Sequence, residues 1–342
     1  MKRSGRRISA VLSEDALLSA LKKVAGVLDG GNRFLMMTHE NPDVDGLGSM
    51  LALGKSLTDL GKEVVILIQK SLTPPLSLLS GAERMIVQGA EFKKEFDAVL
   101  ALDCAEKERL GPCVSLWPGT GLSINIDHHE TNTFFGGHNL VDADSSSTGE
   151  LVYRLIRCGE FPLNHEIAEN LFAAIQSDTG SFRFTNTTSN TMRISADLMD
   201  HGIIPWQTYQ KTTNGYGPER LKLLAGALAQ VEFYNQGKIG MMVLKKEMFA
   251  QSGAHGSDAE GFVEYPRDIK GVELAVMISE KDDDTYKFSI RSNAWANVAE
   301  LASRFGGGGH AKAAGFTRKG SLAALKKDFL MEAGRLLNET SR

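Results

Sequence analysis

His39-Glu-Asn-Pro-Asp43-Val-Asp45-Gly46 puts one imidazole and two carboxylates on a single short stretch, directly after the apolar run Phe34-Leu35-Met36-Met37. An apolar segment followed by an acidic or imidazole group returns at Asp103, at Asp127-His128-His129 and at Asp178. Carboxylate oxygens mixed with imidazole nitrogens suit Mn²⁺, Mg²⁺ or Zn²⁺, and this many of them exceed the needs of a single ion. The pattern points to a two-metal site, whose usual chemistry is hydrolysis of phosphate esters by an activated water.

Each group also has a competing reading. His39 and Asp43 can ligate one ion while Asp45 points to a second; alternatively this is a polar strand-to-helix turn with Asp45 as the helix N-cap. Asp103 alone reads as a turn former, and in company as the carboxylate shared by both ions. Strand side chains alternate, so His128 and His129 cannot both face the core. One is expected to bind metal and the other to contact substrate phosphate, with Asp127 orienting a ring from behind. Asp178-Thr-Gly180 falls at a helix C-terminus, where the dipole disfavours an acid. A nearby cation explains its presence; a loop aspartate bonded to its own backbone is the alternative.

The elements that must position these groups alternate between strand and helix. Phe34–Met37, Val64–Ile68, Ala98–Leu102 and Leu122–Ile126 read as strands, and Leu47–Leu60 as a helix ending before Gly61. Continuous apolar strands separated by helices predict an α/β, doubly wound, mostly parallel sheet covered on both faces. Ligands of such sheets bind beyond the carboxyl ends of the strands, where His39, Asp103 and Asp127 all fall. Helices are expected to open at Thr148-Gly-Glu150 and Asn164-His-Glu, with a Thr/Ser/Asn-rich loop over 185–190 and further helical periodicity over 192–199 and 219–228. The hairpin signal Val231–Tyr234, Asn235-Gln-Gly237, Ile239–Leu244 and the strands Val272–Ser279 and Tyr286–Arg291 predict a smaller C-terminal α/β domain. The expected division is a metal-binding domain over 1–190, a helical connector over 191–229 and a substrate-binding domain over 230–342.

In that last part, a helix over Val298–Phe305 runs into Gly306-Gly307-Gly308-Gly309-His310. Backbone without side chains lets a ligand approach closely and turns N–H groups toward an anion. His310 is placed to bond a phosphate, and Arg291-Ser292 at a strand end is the candidate phosphate fork, a surface arginine being the alternative.

Lys plus Arg number 38 against 42 for Asp plus Glu, a net charge of -4, which argues against a protein that coats long nucleic acid. A short nucleotide needs only a few local cations. Three scattered cysteines, Cys104, Cys113 and Cys158, fit neither a disulfide framework nor a zinc ribbon and suit a reducing cytoplasm. The basic start Met1-Lys-Arg-Ser-Gly-Arg-Arg leads into Ser13, Glu14 and Asp15 rather than an apolar core, so no signal segment is expected, and no stretch is long enough to span a bilayer.

Taken together, His39-x-x-Pro-Asp43-x-Asp45, Asp103, Asp127-His-His129, Asp178-Thr-Gly180 and Gly-Gly-Gly-Gly-His310 resemble the DHH phosphoesterase superfamily with its DHH-associated C-terminal domain. The two-domain length most resembles the bacterial oligoribonuclease and pAp-phosphatase group, the nano-RNases. The resemblance implies two Mn²⁺ ions, with Mg²⁺ as the alternative. His39, Asp43 and Asp103 would hold one, and Asp45, Asp103, His128 and Asp178 the other. His129 would contact the scissile phosphate, while Arg291, Ser292, Gly307, Gly308, Gly309 and His310 would grip the substrate's terminal phosphate or base. Expected substrates are short RNA, dinucleotides such as pGpG and pApA, and pAp; a homodimer is expected and a membrane is not. Gly46 departs from the small aliphatic residue of many relatives, at a position expected to lie beyond the ligands. Alternatives with a similar frame are a cyclic-di-AMP phosphodiesterase, a RecJ-like single-strand exonuclease, a family II pyrophosphatase and a non-catalytic nucleotide-binding regulator. Of these, the first is expected to carry membrane segments, the second an added nucleic-acid domain, and the third lacks the glycine-rich pattern.

Overall fold

Ser13 starts the first helix, α1 (Glu14–Gly30), by accepting the Ala16 amide on its hydroxyl at 3.3 Å. Leu17, Leu21, Val24, Ala25 and Leu28 then bury one face of that helix. The computed structural model describes residues 13–87, 95–118, 122–213, 217–281, 284–309 and 311–339. His310 and the basic start Met1–Arg7 lie outside the described residues.

After α1 come β1 (Arg33–Met37), α2 (Val44–Asp59), β2 (Glu63–Ile68), β3 (Ile86–Val87), β4 (Ala98–Leu102), β5 (Ser123–Asp127) and β6 (His138–Val141). They form a six-stranded sheet in the order β3-β2-β1-β4-β5-β6, with every neighbouring pair parallel. The chain winds outward from β1 to β3, then crosses to β4 on the other side of β1. The strand order therefore reverses between β1 and β4, and a crevice opens at their carboxyl ends. Alternate residues supply two cores. Phe34, Met36, Leu100, Ile124 and Ile126 face one side, and Leu35, Met37, Val99 and Ala101 face the other, with Leu110, Cys113 and Trp117. Helices α3 (Thr148–Cys158), α4 (His165–Asp178), α5 (Ser189–Asp200) and α6 (Pro205–Thr213) complete this part.

The rest of the chain comprises α7 (Pro218–Leu228), β7 (Glu232–Tyr234), β8 (Ile239–Leu244), α8 (Lys246–Ser252), α9 (Glu264–Arg267), β9 (Leu274–Glu280), β10 (Thr285–Ser292), α10 (Val298–Ser303), β11 (Gly308–Gly309), β12 (Ala313–Lys319) and α11 (Leu322–Glu339). Its six-stranded sheet runs β11-β12-β10-β9-β8-β7, antiparallel except for the parallel pair β8–β9. One face packs Phe288, Ile290 and Val276 against Leu301, Phe329 and Ala333; the other packs Met242, Leu244 and Ala275 against Leu223, Phe262 and Val263.

Two compact units result, Met1–Gly215 and Tyr216–Arg342. The helical stretch expected as a connector is shared between them: α5 and α6 belong to the first unit and α7 to the second. Among the described residues no helix is long and apolar enough to cross a membrane.

Candidate metal centre

β1 delivers His39 to the crevice almost fully buried. Its Nδ1 lies 2.8 Å from the carbonyl oxygen of Glu40, which only accepts, so Nδ1 carries the hydrogen. Nε2 faces Asp103 Oδ2 at 3.5 Å. Asp43, not Asp45, is the N-cap of α2: its Oδ1 accepts the Gly46 amide at 3.1 Å. The capping alternative for Asp45 is thereby corrected, because Asp45 sits inside the first turn and points away from its own helix terminus. It accepts the amides of Thr148 at 2.8 Å and Gly149 at 2.9 Å, the first free N–H groups of α3. Ser147 caps the same helix by accepting the Glu150 amide at 3.1 Å. Gly149 has to be a glycine at this crossing, since a Cβ there would lie 2.6 Å from the Ala174 side chain on α4.

Asp103 follows β4 in the left-handed region, φ 54°, with its amide bonded to the Ile126 carbonyl at 2.9 Å. Aspartate tolerates this conformation better than most residues, and such strain collects at functional sites. Its Oδ1 accepts the Thr148 hydroxyl at 3.1 Å. Gly46 presses against the same carboxylate: a Cβ there would lie 2.6 Å from Thr38 Oγ1 and 3.2 Å from Asp103 Oδ2. The expectation that Gly46 lies beyond the ligands is overturned, since the first turn of α2 passes directly over Asp103.

β5 and α4 deliver the remaining groups. Asp127 is fully buried and fixed by Asn132, whose Nδ2 donates to Oδ2 at 2.6 Å. Its other oxygen holds His129 Nδ1 at 2.7 Å. His128 turns the opposite way, with Nε2 at 3.5 Å from Asp178 Oδ2, 3.7 Å from Asp45 Oδ2 and 3.8 Å from Asp103 Oδ1. Asp178 is the last residue of α4.

Three groups of donors emerge: His39–Asp43–Asp103, Asp45–His128–Asp178 and Asp103–His128–His129, each with its atoms within 4.8 Å of one another. Asp103 and His128 each belong to two groups. The electrostatics are those of a site in which protons stand in for cations. Burial, then Asp103, Asp178 and Asp43, hold the Asp45 carboxyl well above its usual range. Burial lifts Asp178 to about 6 against the pull of His128, with Asp43 and Asp103 adding to the rise. Burial also opposes ionisation of Asp103, yet His39, His129 and His128 hold it below the ordinary carboxylate range. Burial would lower His129, but its bond to Asp127 raises it to about 9. Divalent cations would relieve this crowding of acids. The donor set of carboxylates and imidazoles fits a hard or borderline divalent ion. No thiolate competes, because burial pushes the Cys104 thiol up to about 12 and its sulfur donates to the Glu106 carbonyl.

In the second unit Arg291 is half-buried and its Nε donates to Glu264 Oε1 at 3.0 Å. The Ser292 hydroxyl donates to the Ala296 carbonyl at 2.7 Å and so closes a turn. Gly308 and Gly309 form an edge strand on β12, and Gly307 abuts the Gly315 carbonyl, 2.2 Å from where a Cβ would stand. β12 lies between these features, with Ala313 opposite Arg291 and Ala314 opposite Gly309. Thr148 and Asn132 were not singled out in the sequence as site residues. The signal available for Thr148 was the hydroxyl run Ser145-Ser-Ser-Thr148, which reads simply as a loop entering a helix.

A doubly wound sheet with acidic and imidazole ligands at its switch point is the frame of a metal-dependent hydrolase. Residues 33–175 match the DHH family N-terminal domain and residues 237–339 the DHHA1 domain. A bifunctional oligoribonuclease and PAP phosphatase of Thermus thermophilus is 32% identical over 289 residues, covering 83% of this chain and 83% of the relative. A Bacillus subtilis protein of the same description is 27% identical over 286 residues, covering 82% and 88%. The crystal structure of an exopolyphosphatase-related protein from Bacteroides fragilis superposes with a TM-score of 0.87 at 26% identity, covering 96% of this chain and 98% of that one. The chain belongs to the DHH phosphoesterase family.

Proposed function

We propose that this protein is a phosphodiesterase that hydrolyses short oligoribonucleotides and linear dinucleotides such as pGpG and pApA to mononucleotides, and removes the 3′-phosphate of pAp. The observation that carries the reading is the sharing of Asp103 and His128 between donor groups, which suits two cations side by side. The relatives described as oligoribonucleases and PAP phosphatases support the choice of substrate.

In this reading His39, Asp43 and Asp103 hold one Mn²⁺ or Mg²⁺, and Asp45, Asp103, His128 and Asp178 hold the other. Such ions supply an acidified water and neutralise charge on the phosphoryl oxygens. His129, kept protonated by Asp127, turns its Nε2–H to a phosphoryl oxygen and stabilises charge growing there. Asn132 fixes the Asp127 side chain by donating to Oδ2. Thr148 keeps Asp103 and Asp45 in place with its hydroxyl and amide. Arg291, Gly307, Gly308, Gly309 and His310 are assigned to the terminal phosphate or base. The unbridged cysteines Cys104, Cys113 and Cys158 agree with work in the cytoplasm.

The test is product analysis with Mn²⁺ on pGpG, a five-nucleotide RNA, pAp and cyclic-di-AMP side by side. Mononucleotides from pGpG and the short RNA support the reading. Rapid opening of cyclic-di-AMP with little action on linear substrates would hand the site to the cyclic-dinucleotide alternative.

A further inference from the structure

Arg109 lies on the 3-10 segment Lys107–Leu116 that leaves the end of β4 after Asp103. Its backbone is stitched to the turn carrying His39. The Arg109 carbonyl accepts the Glu40 amide at 2.7 Å, and its own amide donates to the Glu106 carbonyl at 3.1 Å. Gln69 Nε2 bridges the Thr38 carbonyl at 2.8 Å and the Leu110 carbonyl at 3.3 Å, and Leu110 is fully buried. This arginine therefore has a fixed origin beside the metal centre.

Its side chain is half-buried, and Nη2 comes within 3.4 Å of His39 Nδ1. That approach is no hydrogen bond. Nδ1 already donates to the Glu40 carbonyl and has no lone pair to offer the guanidinium. Among the described residues no carboxylate lies within 4.0 Å of the guanidinium, although the neighbouring centre is rich in them. A half-buried guanidinium ordinarily finds an acceptor for its five donors. Here the guanidinium, with only the His39 ring near Nη2 and no carboxylate partner among the described residues, stands at the rim of the crevice that holds the candidate metal ligands. The planar fork of arginine matches two phosphoryl oxygens.

We propose that Arg109 binds the non-bridging oxygens of the phosphate under attack, from the His39 side of the centre, and is a catalytic residue. The inference rests on the phosphoester reading given above. It also accounts for a guanidinium left without a carboxylate partner beside so many carboxylates.

The experiment compares wild type with Arg109→Ala and Arg109→Lys in the full chain. It reads turnover of pGpG, calorimetric binding of inorganic phosphate to the Mn²⁺-loaded protein, and Mn²⁺ affinity of the metal-free protein. Arg109→Ala should lower kcat/KM on the order of 100-fold, the scale of losing one oxyanion donor. It should weaken phosphate binding about tenfold, as expected for one charge-assisted contact, and leave Mn²⁺ affinity unchanged. Arg109→Lys should recover part of the phosphate binding, because the charge remains without the fork. Two results overturn the proposal: Arg109→Ala with wild-type turnover and phosphate binding, or a parallel loss of Mn²⁺ affinity, which would make the residue a support for His39. If wild type cleaves no phosphoester, the underlying reading falls. The role of Arg109 is then decided by phosphate binding alone, where loss in Arg109→Ala supports it and no change overturns it.

Discussion

The Thr148 hydroxyl donates to Asp103 Oδ1 at 3.1 Å, and the amide of the same residue donates to Asp45 Oδ2 at 2.8 Å. One residue at the start of α3 thus holds a carboxylate from each of the two donor groups assigned to the ions. Both carboxyl groups accept in a buried setting, where hydrogen bonds are strong. The positive end of the α3 dipole lies behind Asp45 as well.

Removing the hydroxyl tests this arrangement without disturbing the fold. Thr148→Val keeps the shape and the amide but frees Asp103 Oδ1 from its only hydroxyl donor among the described residues. Mn²⁺ affinity should fall roughly 10–100-fold, the usual cost of losing a bond that orients a ligand, and Thr148→Ser should restore most of it. A calorimetric Mn²⁺ titration decides; equal affinities for wild type and Thr148→Val would refute the clamp.

Asp103 should be the costliest ligand to lose. It belongs to two donor groups, whereas Asp43, Asp45 and Asp178 each belong to one. Asp103→Asn should lower kcat by about 10³ or more, exceeding the effect of removing a single electrostatic stabiliser, while Asp178→Asn should cost less. Metal content by plasma spectrometry separates the two, with fewer bound ions expected in Asp103→Asn. Comparable turnover in the two variants would remove Asp103 from its shared position.

How this centre is assembled was only partly legible along the chain. β1 and β4 are buried on both faces and appear as apolar runs, and the polar residue after each run is where the crevice lies; β5 is equally buried but reads Ser123-Ile-Asn-Ile-Asp127, with buried polar residues alternating with its two isoleucines. β3 is only Ile86–Val87, both exposed, and β6 begins His138-Asn139, so neither carries a strand pattern. α1 and α11 are amphipathic helices whose apolar periodicity is visible in the sequence but is not among the elements expected from it. Leu17, Leu21, Val24 and Leu28 repeat at helical spacing behind a polar start, as Phe329, Ala333, Leu336 and Leu337 do at the other end. The ligands themselves were legible because their types are rare in combination. Thr148 was not, since its meaning comes from Asp103 and Asp45, 45 and 103 residues away in sequence. Arg109 likewise looks like any surface cation until the turn at Glu40 folds against it.

Metal should matter more to stability as pH rises. Asp178 and Asp45 have raised carboxyl values in the metal-free fold, Asp178 at about 6. A raised carboxyl contributes stability below its unfolded value near ~4 and loses that contribution as pH climbs through the folded value. His129, raised to about 9, contributes below its unfolded value near ~6.5 and loses it toward 9. Both groups of sites therefore weaken the metal-free protein across pH 5 to 8 by about the same sense of change, and Mn²⁺ replaces the departing protons. The difference in Tm between Mn²⁺-loaded and chelated protein should widen steadily from pH 5 to 8. A difference that stays flat or narrows over that range would contradict the crowded-acid account.

Asp127 offers the sharpest test of what His129 does. It touches no proposed ion, yet it sits 2.7 Å from His129 Nδ1 and is anchored by Asn132 at 2.6 Å. Asp127→Asn keeps the size of the side chain and removes the charge that opposes the effect of burial on the imidazole. His129 should then lose its proton at a pH well below 9, and the alkaline limb of the kcat profile should move to lower pH with it. At neutral pH kcat should drop about 100-fold, in the range for losing a general-acid or charge-stabilising group, with Mn²⁺ affinity close to wild type. A profile whose alkaline limb does not move would mean that His129 does not act as the protonated donor. Loss of metal in Asp127→Asn would instead make His129 a ligand, as its membership in the Asp103–His128–His129 group permits geometrically.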